Sequence, residues 1–152
     1  FVNETLATRY VDIATWESKK ESEGLSEDEN AKLENLKTLY KSRMDDFSKM
    51  RELGVVIAAG SDSGWGNYRM GSFQHETDAH VAGGMSPMEA IVAATRDSAR
   101  SSRVDGEVGT LEPGKHADVL VVDGDPSKNI KSLWNVVDVF LGGNRVKRVN
   151  RL

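Results

Sequence analysis

The chain has 152 residues, with 20 Lys and Arg against 24 Asp and Glu and a formal net charge of −4 at pH 7. This length predicts one domain, or one domain with a small companion, and the acidic balance argues against a nucleic-acid partner. The apolar runs are far shorter than the roughly 20 residues that cross a bilayer, so we expect no membrane partner. Because the chain has no cysteine, any metal must bind through His, Asp or Glu.

The first residues give an expectation about cellular location. The chain opens at Phe1 without an initiator Met, and no basic stretch precedes an apolar segment. We therefore expect no signal peptide and a cytoplasmic location. We also expect the chain to be part of a longer protein.

Residues 17–52 are dense in charges of both signs and carry apolar side chains at three- and four-residue steps, a pattern typical of a long amphipathic helix. Ser26 and Glu29 predict a capping box at its start, and Gly54 predicts a left-handed stop. The predicted core face consists of Leu33, Leu36, Leu39, Tyr40, Met44, Phe47, Met50 and Leu53.

The apolar run 55–59 is too short for a helix and rich in β-branched residues, which predicts a parallel strand buried on both faces. A second helix is predicted to start at Ser72. A third is predicted to start at Ser86, which is followed by proline at the first helical position and by Glu89 in a capping box. The predicted core face of this third helix consists of Ile91, Val92, Ala94, Thr95 and Ala99.

Beyond residue 105 the pattern changes to short apolar or alternating runs separated by glycine-rich turns. These runs predict strands joined by tight turns. Residues 136–141 and 145–149 predict a hairpin, because the intervening Gly-Gly-Asn sequence accepts the positive φ that short turns require.

Asp62 is the first candidate for chemistry. It lies in a glycine-bounded loop directly after the buried strand, and the carboxyl ends of parallel strands are where ligands and catalytic groups gather. The alternative is an Asx-turn or a helix cap as the chain leaves the strand. Serine hydrolysis is not expected from Ser61 or Ser63, because the Gly-x-Ser-x-Gly pattern is absent around them.

Trp65, Tyr68 and Arg69 follow in the same loop and are candidates for lining a substrate pocket. The guanidinium of Arg69 suits a substrate carboxylate, since it offers two parallel donors. The alternative is ordinary loop packing with a solvated arginine.

His75 and His80 flank Glu76, but their spacing is five residues rather than the four of the zinc-protease helix. At about 100° per residue the two rings point about 140° apart, so one helix cannot bring both to one metal. We therefore expect surface or capping histidines rather than a self-contained zinc site. His116, between a turn and a strand, is expected to be structural.

Three blocks of sequence resemble the metal-dependent amidohydrolase superfamily, in its imidazolonepropionase and Xaa-Pro dipeptidase-like branch. They are residues 54–64, residues 84–91 with Ala94 and Thr95, and residues 109–123. The resemblance implies an α/β fold made of the last two βα units of a TIM (β/α)8 barrel, in residues 1–104. Residues 105–152 would then be strands of a small accessory β-sandwich.

The resemblance also implies a site. Family members bind one or two divalent ions, and only the aspartate after the eighth strand has a counterpart here, Asp62. The implied cofactor is a divalent metal, zinc by preference, whose other ligands lie outside this chain. Glu76 matches a glutamate of the helix that follows, whereas the preceding position, often His in relatives, is Gln74.

The implied function is hydrolysis of a carbon–nitrogen bond in a small amide, cyclic amide or dipeptide by metal-activated water, with Asp62 as ligand and proton shuttle. The alternative is a catalytically silent fragment or a small-molecule binding module. Open barrel edges predict a covering partner, either a homo-oligomer or a missing amino-terminal portion.

Overall fold

The computed structural model describes residues 1–64 and 68–147. In chain order its elements are β1 (Val2–Glu4), α1 (Ala7–Ser22), α2 (Glu27–Glu52), β2 (Ile57–Ala59), α3 (Gln74–Ala82), α4 (Pro87–Val92), a π-helical turn (Ala93–Asp97), α5 (Ser98–Ser101), β3 (Val119–Val122), a 3₁₀ helix (Ile130–Trp134), β4 (Val136–Leu141) and β5 (Asn144–Arg145).

The strands β1 and β2 form a parallel pair, with Val2 opposite Ile57 and Glu4 opposite Ala59. Parallel neighbours need a crossover connection, which α1 and α2 provide here. All three residues of β2 are buried, but the strand is shorter than the predicted run 55–59: Val55 and Val56 precede it, and Val56 is exposed. The carboxyl ends of both strands therefore meet at one edge of the sheet.

The charge-rich segment contains the end of α1 and all of α2 rather than a single helix, because Gly24 adopts a φ of +79° between them. The capping box at Ser26 and the left-handed φ of Gly54 are confirmed. Part of the predicted core face is wrong: Leu33 and Phe47 are buried, whereas Leu39 and Leu53 are exposed.

The helix predicted from Ser86 is confirmed with its capping box, and it runs through the π-helical turn into α5. Its buried apolar side chains are small, which lets it pack closely on β2. They include Ala90, Ala93 and Ala99. Thr95 is exposed and its hydroxyl donates to the carbonyl of Ile91 at 2.7 Å, so its predicted place on the core face is wrong.

One apolar cluster gathers side chains from the strands, the helices and the 3₁₀ helix. Its buried members are Leu6, Phe47, Ile57, Ala79, Met85, Ala90, Ala93 and Ile130. Gly83 is needed for this packing, since a Cβ there would lie 2.8 Å from Cδ1 of Phe47. The core thus lies between α2, α3 and β2, below the edge where the strands end.

The strands β3, β4 and β5 form an antiparallel sheet in that order. The predicted hairpin is confirmed for β4 and β5, with Gly142 and Gly143 at positive φ. Its second strand is shorter than predicted, because β5 ends at Arg145 and residues 146 and 147 are not in a strand; residues 148 and 149 lie outside the described residues. Large apolar side chains of this sheet remain exposed, among them Leu120, Val137 and Leu141.

The structure therefore confirms a mixed α/β protein with one parallel pair of strands and a separate antiparallel sheet. No helix within residues 1–64 and 68–147 is long and apolar enough to cross a membrane.

Candidate functional site

The candidate site lies at the edge where β1 and β2 end. Asp62 comes three residues after Ala59, the last residue of β2, and Gly60 still donates its N–H to the carbonyl of Glu4 at 3.0 Å. The paired strands thus hold the chain up to the residue from which the Asp62 loop departs. This edge is where the sequence placed the candidate carboxylate.

Asp62 has a φ of +42°, a left-handed conformation that Asp tolerates better than most residues because its short side chain can bond locally. Its side chain is exposed. The hydroxyl of Ser61 bonds that of Ser63 at 3.3 Å, and the N–H of Gly64 donates to the carbonyl of Tyr68 at 3.0 Å. Gly64 and Tyr68 are therefore bonded to each other, and the Asp62 carboxylate is accessible to a ligand.

The three loop residues predicted to contact substrate differ in their placement. Tyr68 is 1% exposed, and its buried hydroxyl has no hydrogen-bond partner among the described residues. Burial, and then the negative charge of Glu76, raises the pKa of Tyr68 to about 12. Arg69 is exposed, and Trp65 lies outside the described residues. Tyr68 therefore presents a donor to the interior, whereas Arg69 presents charge to solvent.

Glu76 is fully buried and binds the start of α1 from a distance of about seventy residues in sequence. Its Oε1 accepts the N–H of Leu6 at 2.8 Å and its Oε2 accepts the N–H of Ala7 at 2.8 Å. The helix α1 has no side-chain cap of its own and no acidic residue in its first turn. Glu76 thus satisfies two of the N–H groups that every helix start leaves free, with a charge that suits the helix dipole.

His80 is fully buried, so the expectation of a surface or capping histidine is wrong for this residue. Its Nε2 lies 3.1 Å from Oε1 of Glu76, and its ring lies 5.1 Å from that of Phe47. The imidazole fills the space between the buried carboxylate and the apolar core. Glu76 and His80 therefore form a buried polar pair on α3 behind the site edge.

His75 is only partly buried and belongs to an aromatic cluster. Its ring lies 4.6 Å from that of Trp134 and 6.1 Å from that of Tyr68. Burial lowers the pKa of His75 below its usual value, which favours the neutral ring. His116 is exposed, and its backbone N–H donates to the carbonyl of Glu107 at 2.8 Å.

Asp78, a residue that the sequence did not single out, joins α3 to the 3₁₀ helix. Its Oδ2 accepts from Nζ of Lys131 at 2.7 Å and from Nε1 of Trp134 at 3.0 Å. The side chain is 2% exposed, so this contact links the helical part of the molecule to the segment that precedes β4. Its two donors are more than fifty residues away in sequence, so no local sequence pattern predicts this contact.

The metal-binding capacity of these residues is limited to a single carboxylate. Within residues 1–64 and 68–147, no three His, Asp or Glu side chains form a group that could hold an ion. Glu76 is engaged with α1 and His80 is enclosed by protein. Asp62, exposed at the carboxyl edge of the strands, fits the role of one oxygen ligand, to which other residues would have to be added.

Comparison with known proteins gives the family of the chain. A model of the amidohydrolase family matches residues 8–146. The chain is 40% identical over 77 residues to imidazolonepropionase from Syntrophobacter fumaroxidans, covering 50% of this chain and 18% of that protein. It is 32% identical over 129 residues to ochratoxinase from Aspergillus niger, covering 82% and 26%.

Among solved structures, the chain is similar to a Xaa-Pro dipeptidase with bound methionine in its active site. The TM-score is 0.71 at 28% identity, over 94% of this chain and 34% of that one. The chain thus spans between 18% and 34% of the length of these three relatives. Both halves of the resemblance seen in the sequence, to imidazolonepropionase and to Xaa-Pro dipeptidase, are confirmed.

Proposed function

The chain belongs to the amidohydrolase family, and from that membership we propose that it forms part of a metal-dependent hydrolase acting on carbon–nitrogen bonds. In this proposal residues 1–104 are the carboxyl-terminal part of a (β/α)8 barrel, and β1 and β2 are its last two strands. Residues 105–152, with β3, β4 and β5, belong to an accessory β-sandwich. The parallel register of β1 and β2, with two helices between them, supports this assignment.

The observation that carries the proposal is the place of Asp62. An exposed carboxylate stands three residues past the end of β2, at the edge that β2 shares with its parallel neighbour. Active sites of (β/α)8 enzymes are built at this edge, from the loops that follow the strands. A residue at this position can reach a substrate without any rearrangement of the core beneath it.

Asp62 would hold a divalent ion, zinc by preference, as one ligand of a site for one or two ions, with the other ligands supplied by residues outside this chain. When bound, such an ion lowers the pKa of a coordinated water from 15.7 to about 7 and polarises a carbonyl oxygen. Every further contribution from this chain comes from the carboxylate itself and from its neighbours in the loop.

The second role of Asp62 is to move a proton. Its carboxylate accepts a proton from the attacking water and delivers it to the nitrogen of the leaving group. Proton transfer by a positioned side chain is worth roughly 10² to 10⁴ in rate. The exposed position of Asp62 supports this role, since both partners of the transfer must reach the same oxygen atoms.

The proposed substrate is a small amide, cyclic amide or dipeptide. The names of two relatives, an imidazolonepropionase and a Xaa-Pro dipeptidase, support this class. Arg69 would bind a substrate carboxylate from the solvent side, and Trp65 would line the pocket. Tyr68, whose hydroxyl is buried and has no hydrogen-bond partner among the described residues, would be the third substrate-binding residue.

The proposal includes a covering partner for the open strand edges. Among residues 1–64 and 68–147 the parallel sheet has two strands, and side chains beside it such as Phe1 and Val56 are exposed. A two-stranded sheet is marginal by itself in water. We propose that a second copy of the chain or an amino-terminal portion of the same protein covers these edges.

The test is steady-state kinetics on the full-length protein with a panel of N-acyl amino acids, dipeptides and cyclic amides. Asp62→Asn should lower kcat by about 10² to 10⁴ with little change in KM. Asp45→Asn, which alters an exposed carboxylate on α2, is the matched control and should leave both constants unchanged. Turnover in Asp62→Asn equal to that of the unaltered protein would contradict the proposal, and binding without turnover in the unaltered protein would favour a binding module.

A further inference from the structure

Ser98, the first residue of α5, bonds the outer edge of β2. Its hydroxyl accepts the N–H of Ala59 at 3.2 Å and lies 3.1 Å from the carbonyl oxygen of the same residue. It also lies 2.7 Å from the carbonyl oxygen of Ala93. The hydroxyl therefore accepts the N–H that Ala59 presents away from β1, and its single proton is shared between the carbonyl oxygens of Ala93 and Ala59.

The two edges of β2 are thus engaged by different partners. On one edge, Val56 accepts from the N–H of Val2 at 3.1 Å and Gly60 donates to Glu4 at 3.0 Å. On the other edge, Ala59 bonds a side chain instead of a strand. A further strand could extend its ladder along that edge only as far as Ile57, because each backbone N–H and C=O of a ladder needs its partner.

The π-helical turn Ala93–Asp97 puts Ser98 in this place. A π-turn holds one more residue than an α-helical turn, and such turns occur frequently at functional sites. Here the extra residue brings Ser98 five positions beyond Ala93, within reach of both that carbonyl and β2. Ala93 and Ala99 are buried on either side, so the helix cannot shift without disturbing the core.

Ala59 is also the residue from which the Asp62 loop departs. The chain leaves the sheet at Gly60, and Asp62 follows with a φ of +42°. Ser98 holds the outer edge at Ala59, and β1 holds the inner edge at Gly60. We propose that Ser98 is a positioning residue for Asp62: its hydroxyl ends the strand ladder at Ala59 and thereby sets the point and direction from which the Asp62 loop leaves the sheet.

The catalytic part of this inference rests on the proposed function, but its structural part does not. The first measurement is therefore hydrogen exchange at the Ala59 amide, which needs no substrate. Ser98→Ala should raise the exchange rate roughly three- to tenfold, the range that one neutral hydrogen bond is worth. Ser98→Thr keeps the hydroxyl and should restore the unaltered rate, and Ser98→Cys, with a weakly bonding thiol, should behave like the alanine variant.

Ser101→Ala is the matched control. Ser101 lies on the same short helix and donates to Oδ1 of Asn3 at 3.0 Å, so its loss removes a hydroxyl contact to β1 but leaves Ala59 untouched. Exchange at Ala59 should stay unchanged in this variant. An unchanged Ala59 rate in both Ser98→Ala and Ser98→Cys would overturn the inference.

The second measurement is kinetic, on the full-length protein. Ser98→Ala should lower kcat about three- to tenfold and leave KM within about twofold, because the misplacement affects the carboxylate rather than the pocket. Ser98→Thr and Ser101→Ala should both retain kcat. If Ser98→Ala speeds exchange at Ala59 but leaves kcat unchanged, and Asp62→Asn still lowers turnover, the positioning role of Ser98 is overturned. Full turnover in Asp62→Asn would instead refute the proposed function. The exchange measurement would then still test whether the Ser98 hydroxyl ends the strand ladder at Ala59.

Discussion

The starts of α1 and α2 are capped in opposite ways. The first turn of α2 lies at the surface and is capped by its own neighbours: the N–H of Glu29 donates to the Ser26 hydroxyl at 3.3 Å, and the N–H of Ser26 donates to the Glu29 carboxylate at 2.9 Å. The start of α1 at Leu6 and Ala7 is buried at the site edge, and the N–H groups of these two residues depend on Glu76. One cap is local and exposed, the other distant and enclosed.

This difference shows which of the two helix starts needs its acceptor in a fixed position. A surface helix start can bond water if its cap is lost, whereas a buried one cannot. Glu76 stands on the helix that follows the Asp62 loop, and Leu6 follows β1. The carboxylate therefore ties together the two segments that leave the carboxyl ends of the parallel strands. The buried cap holds the site edge as well as the helix.

The substitution Glu76→Gln should have the largest effect, because it tests the buried cap of α1 directly. The amide keeps the shape of the side chain but offers one acceptor instead of two, so the N–H of Leu6 or Ala7 is left buried and unpaired. We expect the free energy of unfolding, measured by urea denaturation, to fall by about 2–3 kcal/mol.

Ser26→Ala is the matched surface variant, since it removes the equivalent acceptor from α2. It should cost about 1 kcal/mol. If the two variants cost the same, the start of α1 is not the more demanding of the two, and the contrast drawn between the caps is wrong.

The pH dependence of the surface cap gives a smaller effect. The hydrogen bond from Lys19, together with the bonds from Ser26, lowers the pKa of Glu29 from 4.5 to about 2. A carboxyl whose pKa is lower in the folded state stabilises the fold above its unfolded pKa, and this contribution is lost as the pH falls toward the folded value. The difference in unfolding midpoint between the unaltered protein and Glu29→Gln should therefore narrow below pH 4.5 and vanish only once the pH falls below about 2.

Because the pair of Glu29 with Lys19 is partly exposed to solvent, salt should reduce this difference at neutral pH. A difference that persists unchanged at pH 2, or that grows as the pH falls, would show that Glu29 acts through something other than its charge.

The same contrast explains which features the sequence could predict. The capping boxes at Ser26 and Ser86 are encoded within four residues, and the structure has both. The buried run of β2 and the glycine turn between β4 and β5 are equally local. These features depend on backbone conformation and on short spacings, which a single sequence displays directly.

The features that sequence reasoning missed depend on contacts across the fold. α1 lacks a local cap, so nothing in its own residues marked its start. The burial of His80, expected at the surface, follows from the packing of α2 on α3, where Phe47 and Glu76 enclose the ring. The five-residue spacing of His75 and His80 carried no information about which side of α3 faces the core.

The most direct test of the account is metal binding by Asp62. Isothermal titration of the metal-free, full-length protein with Zn²⁺ should show that Asp62→Ala weakens binding at the active site by at least about tenfold, the loss typical of disturbed metal coordination. Asp45→Ala should bind as the unaltered protein does. Zinc affinity and stoichiometry that are identical in Asp62→Ala and in the unaltered protein would contradict the claim that the edge of β1 and β2 contributes a metal ligand.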